Sequence, residues 1–188
     1  MCHDRVTRVV QIEIDAGVTR AAERFFPQLT ASNEDPRAEL RFEDGLDYIN
    51  SVGDASFDVV IIDSTDPEGI AEDLFGAAFL REVHRILQPG GVVVQQSESP
   101  LFHTESLIRD LHTALADAGF SSRATLPFPV PSYPSGWWSC TIAGRERDVQ
   151  SFRETAARAA DFATQYYTAG VHHGALHPPA FARSVFNQ

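Results

Sequence analysis

The sequence predicts an α/β fold with a mostly parallel sheet, formed as a single domain over residues 1–188. Strand-length apolar runs alternate with segments of helical periodicity, which is the pattern of βαβ units. The length is in the range of one domain, and no repeat, low-complexity tract or linker interrupts it. The apolar runs are far shorter than the roughly 20 residues of a membrane span. We therefore expect a cytoplasmic protein without a membrane partner.

The apolar pattern predicts six strands, each a short run: 8–14, 38–42, 57–63, 91–96, 120–125 and 137–143. Helical periodicity between and after them predicts five helices: 18–26, 46–50, 71–87, 104–118 and 149–164. Pro89-Gly90-Gly91 is expected to end the third helix and to turn the chain into the next strand.

Charge and composition exclude several classes of function. The net charge of −11 argues against nucleic acid as a partner, because phosphate binding needs an excess of Lys and Arg, and it suits small cationic ligands. All 15 basic residues are Arg, so Schiff-base chemistry and a lysine-containing phosphate loop are excluded. Cys2 and Cys140 provide neither a disulfide framework nor a CxxC metal motif, and we expect inert thiols.

Acidic residues follow three of the predicted strands. In open α/β sheets ligands bind at the carboxyl ends of the strands, so these acids are expected to form a cleft with a strongly negative mouth. The three pairs are Glu13 and Asp15, Glu43 and Asp44, and Asp63 and Asp66.

The first two pairs each allow two interpretations. Glu13 is placed to accept hydrogen bonds from ribose hydroxyls. The alternative is that Glu13 or Asp15 caps the helix that starts near Val18, and Asp15 is the favoured N-cap of the two. The carboxylate of Asp44, in the Asp44-Gly45 turn between strand and helix, suits the exocyclic amine of adenine. The alternative is an ordinary Asp-Gly turn.

The third pair is harder to explain by structure alone. Pro67 pushes Asp66 toward an extended backbone, which predicts a short rigid arch that holds Asp63 and Asp66 over the strand end. A helix cap for the segment that begins near Glu72 is the alternative, although the intervening loop is long for a simple cap.

Two further motifs are candidates for the same edge of the sheet. In PSYPSGWW, residues 131–138, Tyr133 offers a ring face for an alkyl chain and a hydroxyl for an amine, unless the motif is only a packed loop. Gln95 and Gln96 end a strand, and because side chains alternate faces only one can point into the cleft. His172, His173 and His177 form a cluster that a metal ion could use, but such clusters more often have packing or surface roles. We therefore predict no metal site.

The motifs together resemble the polyamine aminopropyltransferases, the spermidine synthases. The resemblance rests on VVQIEID, EDGLDYI, FDVVIIDSTDPEGIAEDLF, LQPGGVVVQQSES, PSYPSGWWS and YYTAGVHHGALHPPAFAR, which run in this order from about Val9 to the C-terminus. It implies a Rossmann-like, methyltransferase-type sheet with helices on both faces. It also implies aminopropyl transfer from decarboxylated S-adenosylmethionine, a co-substrate and not a prosthetic group, to putrescine or a similar diamine.

The resemblance also assigns roles to residues. Glu13 would hold the ribose, and Asp44 with Gly45 the adenine. Asp66 would bind an ammonium group, and Gln96 and Tyr133 would line the diamine channel. Asp63 would contact both substrates and act as the general base, taking the proton from the nitrogen as it bonds to carbon.

The sequence departs from the family in lacking a glycine-rich GGGDGG loop and the β-rich region ahead of it. The absent first strand would lie between the strands that end at Glu13 and Asp63, so we expect an unpaired edge on each of two half-sheets. A fragment or mis-started enzyme, a partner chain or homo-oligomer that supplies the strand, and an inactive polyamine-binding homologue are the alternatives. A small-molecule methyltransferase is the nearest rival enzyme, although an acidic rim would repel the carboxylate of S-adenosylmethionine.

Overall fold

The computed structural model describes residues 3–64 and 73–186. The chain divides into two compact units, residues 1–52 and 53–188, which are described separately. The predicted single catalytic domain stays a prediction.

Unit 1 contains a two-stranded parallel sheet, in which Val9 pairs with Ala38 and Ile12 pairs with Arg41. Short helices connect and follow the two strands, as the alternating sequence pattern predicts. The elements are β1 (Val9–Ile12), α1 (Ala16–Phe25), α2 (Pro27–Thr30), a 3₁₀ turn (Ala31–Glu34), β2 (Ala38–Arg41) and α3 (Gly45–Ser51).

Unit 2 contains a four-stranded sheet with the order β3-β4-β6-β5. Its strands are β3 (Phe57–Ile62), β4 (Leu87–Gln96), β5 (Ser122–Pro129) and β6 (Trp137–Gly144). Its helices are α4 (Ala77–Ile86), α5 (Pro100–His103), a π-helical turn (Thr104–Ile108), α6 (Arg109–Asp117), α7 (Glu154–Arg158), α8 (Ala169–Ala175) and α9 (Arg183–Phe186).

The four-stranded sheet is mixed. β3 and β4 pair in parallel, whereas β6 pairs antiparallel with both β4 and β5. Three strands therefore run in one direction and β6 runs against them. The reason is the short connection between β5 and β6, because a parallel pair needs a crossover of a dozen or more residues. The prediction of a mostly parallel sheet is correct for strand direction, but two of the four strand pairings in the described residues are antiparallel.

The two open edges expected from the sequence are present. Within residues 3–64 and 73–186, β1 pairs only with β2, and β3 lies at one edge of its sheet. Val59 and Ile61 on β3 are exposed. The core of unit 2 lies against the sheet between α4 and α6. Its fully buried side chains include Leu80, Val83, Leu87, Val93, Leu111, Leu115 and Phe120.

The start predicted for β4 is wrong. The third predicted helix ends at Ile86, one residue before the predicted end, but β4 begins directly at Leu87 and not at Gly91. Pro89-Gly90-Gly91 therefore forms a bulge inside β4, where pairing shifts from Phe57–Leu87 to Val59–Val92. Gly90 has a φ of 82°, which suits such a bulge. The periodicity of apolar residues could not show this irregularity.

The helix predicted over 149–164 is reduced to α7. At its predicted start the Oδ1 of Asp148 accepts a hydrogen bond from the Gln150 backbone N–H, and Ser122 Oγ accepts one from the Val149 N–H. These side-chain bonds hold a turn in place of the first helical turn.

Candidate functional site

The candidate site in unit 2 lies where β3, β4 and β6 meet. Ile62 pairs with Gln95, so Asp63, which follows β3, is level with Gln96 at the end of β4. Gln95 is buried, and its Nε2 donates to the carbonyl of Leu74. Gln96 points to the opposite face, because side chains alternate along a strand. Of the two glutamines, Gln96 is therefore the one beside the other predicted site residues.

The side-chain amide of Gln96 links three segments of the sheet edge. Its Nε2 donates to the carbonyl of Ser64 at 3.4 Å and to Glu98 Oε1 at 3.3 Å. Its Oε1 accepts hydrogen bonds from the Glu98 backbone N–H at 2.8 Å and from Trp138 Nε1 at 3.1 Å. Gln96 thus ties the segment after Asp63 to the ends of β4 and β6.

Tyr133 is connected to this network through Trp138. The two rings stack with centroids 4.5 Å apart and an interplanar angle of 24°. Tyr133 remains 52% exposed. A stacked but exposed ring has a fixed orientation and still presents surface to a ligand.

Glu98 is a candidate site residue that the sequence analysis missed. It is only 3% exposed, and its carboxylate contacts the Gln96 amide. Its φ of 71° lies in the left-handed region, which non-glycine residues adopt mostly at strained, often functional positions. The signal was present in the sequence, because QQSES places an acid just after a strand, as in the three pairs that were recognised.

A second strained residue lies in the facing loop. Ser135 has a φ of 73°, and its Oγ hydrogen-bonds Ser99 Oγ at 2.8 Å. The turn after β4 and the loop before β6 are therefore joined by a side-chain bond as well as by the Gln96–Trp138 bond. This arrangement gives a compact edge composed of two motifs that are 36 residues apart.

Of the two acids in the predicted arch, the structure places one. Asp63 is exposed directly after the last residue of β3. Asp66, with Pro67 and Glu72, lies outside the described residues, and the arch and its capping alternative stay predictions.

In unit 1, Glu13 and Asp44 follow β1 and β2 at the carboxyl ends of these strands. Glu13 Oε1 accepts from the Asp15 N–H at 2.9 Å. Asp15 is the N-cap of α1, as predicted, with Oδ1 accepting from the Gly17 N–H at 2.7 Å.

Asp44 caps α3 through a bond of 2.7 Å from the Leu46 N–H to its Oδ1. The bond uses one carboxylate oxygen, so the cap and a ligand contact through Oδ2 are compatible. A Cβ added to Gly45 would meet no atom within 4 Å, so the space before this turn is open.

The structure does not support a metal site. Within residues 3–64 and 73–186, no group of three or more His, Cys, Asp or Glu side chains is arranged to hold a metal ion. His172 stacks on Phe152 at 4.1 Å, and His177 Nδ1 bonds to the carbonyl of His173. The three histidines therefore have packing and hydrogen-bonding roles.

Burial raises the pKa of the Cys140 thiol to about 11, which keeps it protonated.

Two other observations concern access and membranes. A cavity of about 380 Å³ is lined by residues between Gln150 and Arg183 and by none of the predicted site residues. No helix among the described residues is long and apolar enough to cross a membrane. The cytoplasmic location and the homo-oligomer or partner chain stay predictions.

Comparison with known proteins identifies close relatives. A polyamine aminopropyltransferase of Alkalilimnicola ehrlichii is 52% identical over 183 residues, which are 97% of this chain and 64% of that protein. A polyamine aminopropyltransferase of Halorhodospira halophila is 52% identical over 177 residues, 94% of this chain and 64% of that protein. The chain thus spans 64% of the length of these two curated relatives.

Solved structures agree with these relatives. A spermidine synthase in complex with the transition state analogue AdoDATO has a TM-score of 0.89 at 29% identity, over 97% of this chain and 62% of that one. Spermidine synthase from Thermotoga maritima has a TM-score of 0.86 at 28% identity, over 97% and 61% of the two chains. The resemblance and the methyltransferase-like α/β fold predicted from the sequence are confirmed.

The family match covers more than half of the chain. The spermine/spermidine synthase domain matches residues 1–153, which include β1 to β6 and every predicted site residue. The chain belongs to the spermine/spermidine synthase family.

Proposed function

We propose that the protein transfers the aminopropyl group of decarboxylated S-adenosylmethionine to putrescine, giving spermidine and methylthioadenosine. The observation that carries the proposal is the Gln96 network. It gathers the segment after Asp63, the buried carboxylate of Glu98 and the Tyr133–Trp138 stack at one edge of the sheet. Two carboxylates and an aromatic face suit a ligand with cationic ends and an alkyl chain.

The proposed diamine site uses these groups in distinct roles. The carboxylate of Glu98, with Asp66, binds the ammonium group at the end of the diamine that does not react. The exposed ring of Tyr133 covers the alkyl chain, and its hydroxyl orients an amine. Gln96 fixes Glu98 and the β3 end relative to each other, so its own contribution is mainly to geometry.

In the proposed reaction the neutral amine nitrogen attacks the aminopropyl carbon bonded to the sulfonium sulfur. The N–C bond forms, the C–S bond breaks, and its electron pair stays on sulfur, giving neutral methylthioadenosine. The sulfonium needs no acid catalysis, so the protein mainly aligns the reactants and accepts a proton. Asp63 is the proposed base, and its position at the end of β3 leaves it accessible to the attacking nitrogen.

The proton transfer answers an energetic problem. A primary amine has a pKa of about 10.4, so exposing its lone pair at pH 7 costs on the order of 4 to 5 kcal/mol. A carboxylate pair favours the ammonium form, which works against the reaction. Division of roles resolves the conflict: one acid binds the distal ammonium, and Asp63 takes a proton from the reacting ammonium, so that its lone pair is free when the N–C bond forms.

The nucleoside of the co-substrate is assigned to the strand ends of unit 1. Glu13 accepts from the ribose hydroxyls, and Asp44 accepts from the adenine amine beside the open turn at Gly45. The remaining oxygens of both carboxylates support this assignment, because in each residue a single oxygen makes the hydrogen bond that stabilises the turn.

The test is methylthioadenosine release from decarboxylated S-adenosylmethionine and putrescine, with equilibrium binding of both substrates measured in parallel. We expect Asp63→Asn to lower kcat by about 10²- to 10⁴-fold, the usual range for a general base. Asp58→Asn is the matched control, because Asp58 is also exposed and lies on the same strand. Equal rates for Asp63→Asn and Asp58→Asn, or preferential binding of the carboxylated co-substrate, would contradict the proposal.

A further inference from the structure

A continuous chain of buried hydrogen bonds crosses unit 2 from α6 to the turn after β4. His112 Nε2 bonds Thr125 Oγ1 at 2.8 Å, and Thr125 Oγ1 bonds Thr141 Oγ1 at 2.8 Å. Thr141 Oγ1 then bonds Ser97 Oγ at 3.0 Å, and Ser97 Oγ bonds Ser139 Oγ at 3.0 Å. The chain thus spans one helix, two strands and a turn.

All members of this chain are removed from solvent. Thr125, Thr141 and Ser139 are fully buried, and His112 and Ser97 are 1% and 2% exposed. Buried polar groups persist only when they are paired, and each hydroxyl here has partners on both sides. The chain lies on the face of the sheet opposite Gln96 and Trp138, since residues of β4 and β6 alternate between the two faces.

The hydrogen-bond chain ends at Glu98 in the candidate site. Ser139 Oγ donates to the carbonyl of Glu98 at 2.8 Å, with a longer bond of 3.2 Å to the carbonyl of Ser97. Glu98 is the residue whose backbone has a left-handed conformation and whose carboxylate contacts Gln96. A residue keeps such a conformation only where its surroundings hold it there.

Counting protons gives the chain a direction. A carbonyl can only accept a hydrogen bond, so the hydroxyl hydrogen of Ser139 is donated to the carbonyl of Glu98. In the bond between Ser97 and Ser139, Ser97 must therefore be the donor. By the same argument Thr141 donates to Ser97, and Thr125 donates to Thr141. The remaining bond has to come from His112, whose Nε2 must carry the proton.

The rest of the His112 environment agrees with this tautomer. Its Nδ1 is buried and has no hydrogen-bond partner within the described residues. Leaving an unprotonated nitrogen unpaired costs less free energy than leaving an N–H unpaired, so the proton belongs on Nε2. Burial, with a contribution from the Arg123 charge, lowers the pKa of His112 to about 4, so the ring is neutral at pH 7.

We propose that His112 is a positioning residue, which acts through Thr125, Thr141, Ser97 and Ser139 to hold the Glu98 turn in the conformation that binds the diamine. The proposal gives a function to a histidine that does not reach the substrate. Its consequence for diamine affinity rests on the proposed function, whereas the chain and the tautomer do not.

The test compares Thr141→Val with Thr141→Ser in the full-length polypeptide. Valine has nearly the shape of threonine but cannot continue the chain, whereas serine keeps the hydroxyl and is the rescue variant. Thr113→Val is the matched control, because Thr113 is next to His112 but exposed, and its Oγ1 donates to the Arg109 carbonyl. Thermal unfolding confirms that each variant folds.

Three readouts decide the proposal. Nitrogen-15 NMR should show the Nε2–H tautomer of His112 in the wild type and in Thr141→Ser, and an altered His112 signal in Thr141→Val. The backbone amide of Glu98 should shift in Thr141→Val alone. The dissociation constant for putrescine should rise about 3- to 10-fold in Thr141→Val, with the affinity for decarboxylated S-adenosylmethionine unchanged.

Each opposite result has a distinct meaning. An Nδ1–H tautomer in the wild type, or a wild-type putrescine affinity in Thr141→Val, would overturn the inference. If the wild type binds no putrescine, the proposed function fails. The NMR signal of the Glu98 backbone amide then tests the hydrogen-bond chain by itself. An unchanged signal in Thr141→Val overturns the coupling of this chain to Glu98, and a shifted signal supports it.

Discussion

The indole Nε1–H of Trp138 donates to Gln96 Oε1 at 3.1 Å and thereby fixes which way the Gln96 amide faces. An indole nitrogen can only donate, and the Glu98 backbone N–H reaches the same oxygen. The Nε2 of Gln96 must therefore point to the Ser64 carbonyl and the Glu98 carboxylate. One ring nitrogen on β6 thus orients the amide that links the ends of β3 and β4.

We expect Trp138→Phe to weaken putrescine binding about 3- to 10-fold, because it removes this donor while keeping a ring to stack on Tyr133. Binding is measured by calorimetry. Trp137→Phe is the control, since Trp137 packs edge-on against Phe181, whereas the indole that donates to Gln96 is that of Trp138. Equal losses in both variants would show that the indole N–H has no specific role.

Asp44→Ser separates the helix cap from the proposed contact with adenine. Serine is a good N-cap, so the free energy of unfolding should change by less than about 0.5 kcal/mol, whereas the affinity for decarboxylated S-adenosylmethionine should fall at least tenfold. Asp15→Ser makes the same change at the N-cap of α1 and should leave that affinity intact. Retained affinity in Asp44→Ser would reduce Asp44 to a cap.

The low pKa of His112 predicts a pH-dependent stability. Its folded pKa of about 4 lies below the ordinary 6.5, so the neutral form is favoured in the folded state. The stabilisation is fully present above pH 6.5 and is lost as the pH falls toward 4, because the unfolded chain takes up the proton first. The loss amounts to on the order of 3 kcal/mol.

Urea unfolding of the wild type and His112→Gln between pH 7 and pH 4 measures this term. The wild type should lose stability more steeply, and the difference in slope isolates His112 from the other titrating groups. His103→Gln makes the same substitution at a histidine outside this hydrogen-bond chain and serves as the control. Parallel curves for wild type and His112→Gln would show that His112 titrates normally.

Gly91→Ala should destabilise unit 2 by roughly 1 to 3 kcal/mol, the usual cost of overpacking. A Cβ at Gly91 would lie 2.9 Å from the Gln88 carbonyl and 3.0 Å from the Asp58 carbonyl, where the β4 bulge meets β3. Gly174→Ala is the opposite case, because Gly174 is inside α8 with open space around its Cβ position. It should stabilise by about 0.5 to 1 kcal/mol, and thermal unfolding compares the two.

The sequence alone predicted six strands in order, the helices between most of them and the acids that follow the strands. These features depend on local properties, namely apolar periodicity and residues next to strand ends. The bulge in β4 and the shortened α7 were not predictable in this way. Both depend on contacts between residues distant in sequence, such as Gly91 with Asp58 and Val149 with Ser122.

The site divides along the same line. The alternation of side chains implied that only one of Gln95 and Gln96 could face the predicted cleft. In the structure Gln95 is buried, whereas Gln96 bonds Ser64 and Glu98 at the sheet edge. QQSES shows an acid just after a strand, but the proposed role of Glu98 also depends on a left-handed turn that no residue of this segment signals. The chain from His112 depends on the order β4-β6-β5, which brings Ser97, Thr141 and Thr125 side by side.

The sequence by itself determined the family and the chemical character of the candidate site, because motif identity and acidic strand ends are properties of neighbouring residues. The tertiary structure decided which side chains meet, how Gln96 is oriented and why Glu98 can remain in a strained turn. The physical reason is that hydrogen bonds between distant segments have direction and distance requirements, which only the packed sheet satisfies.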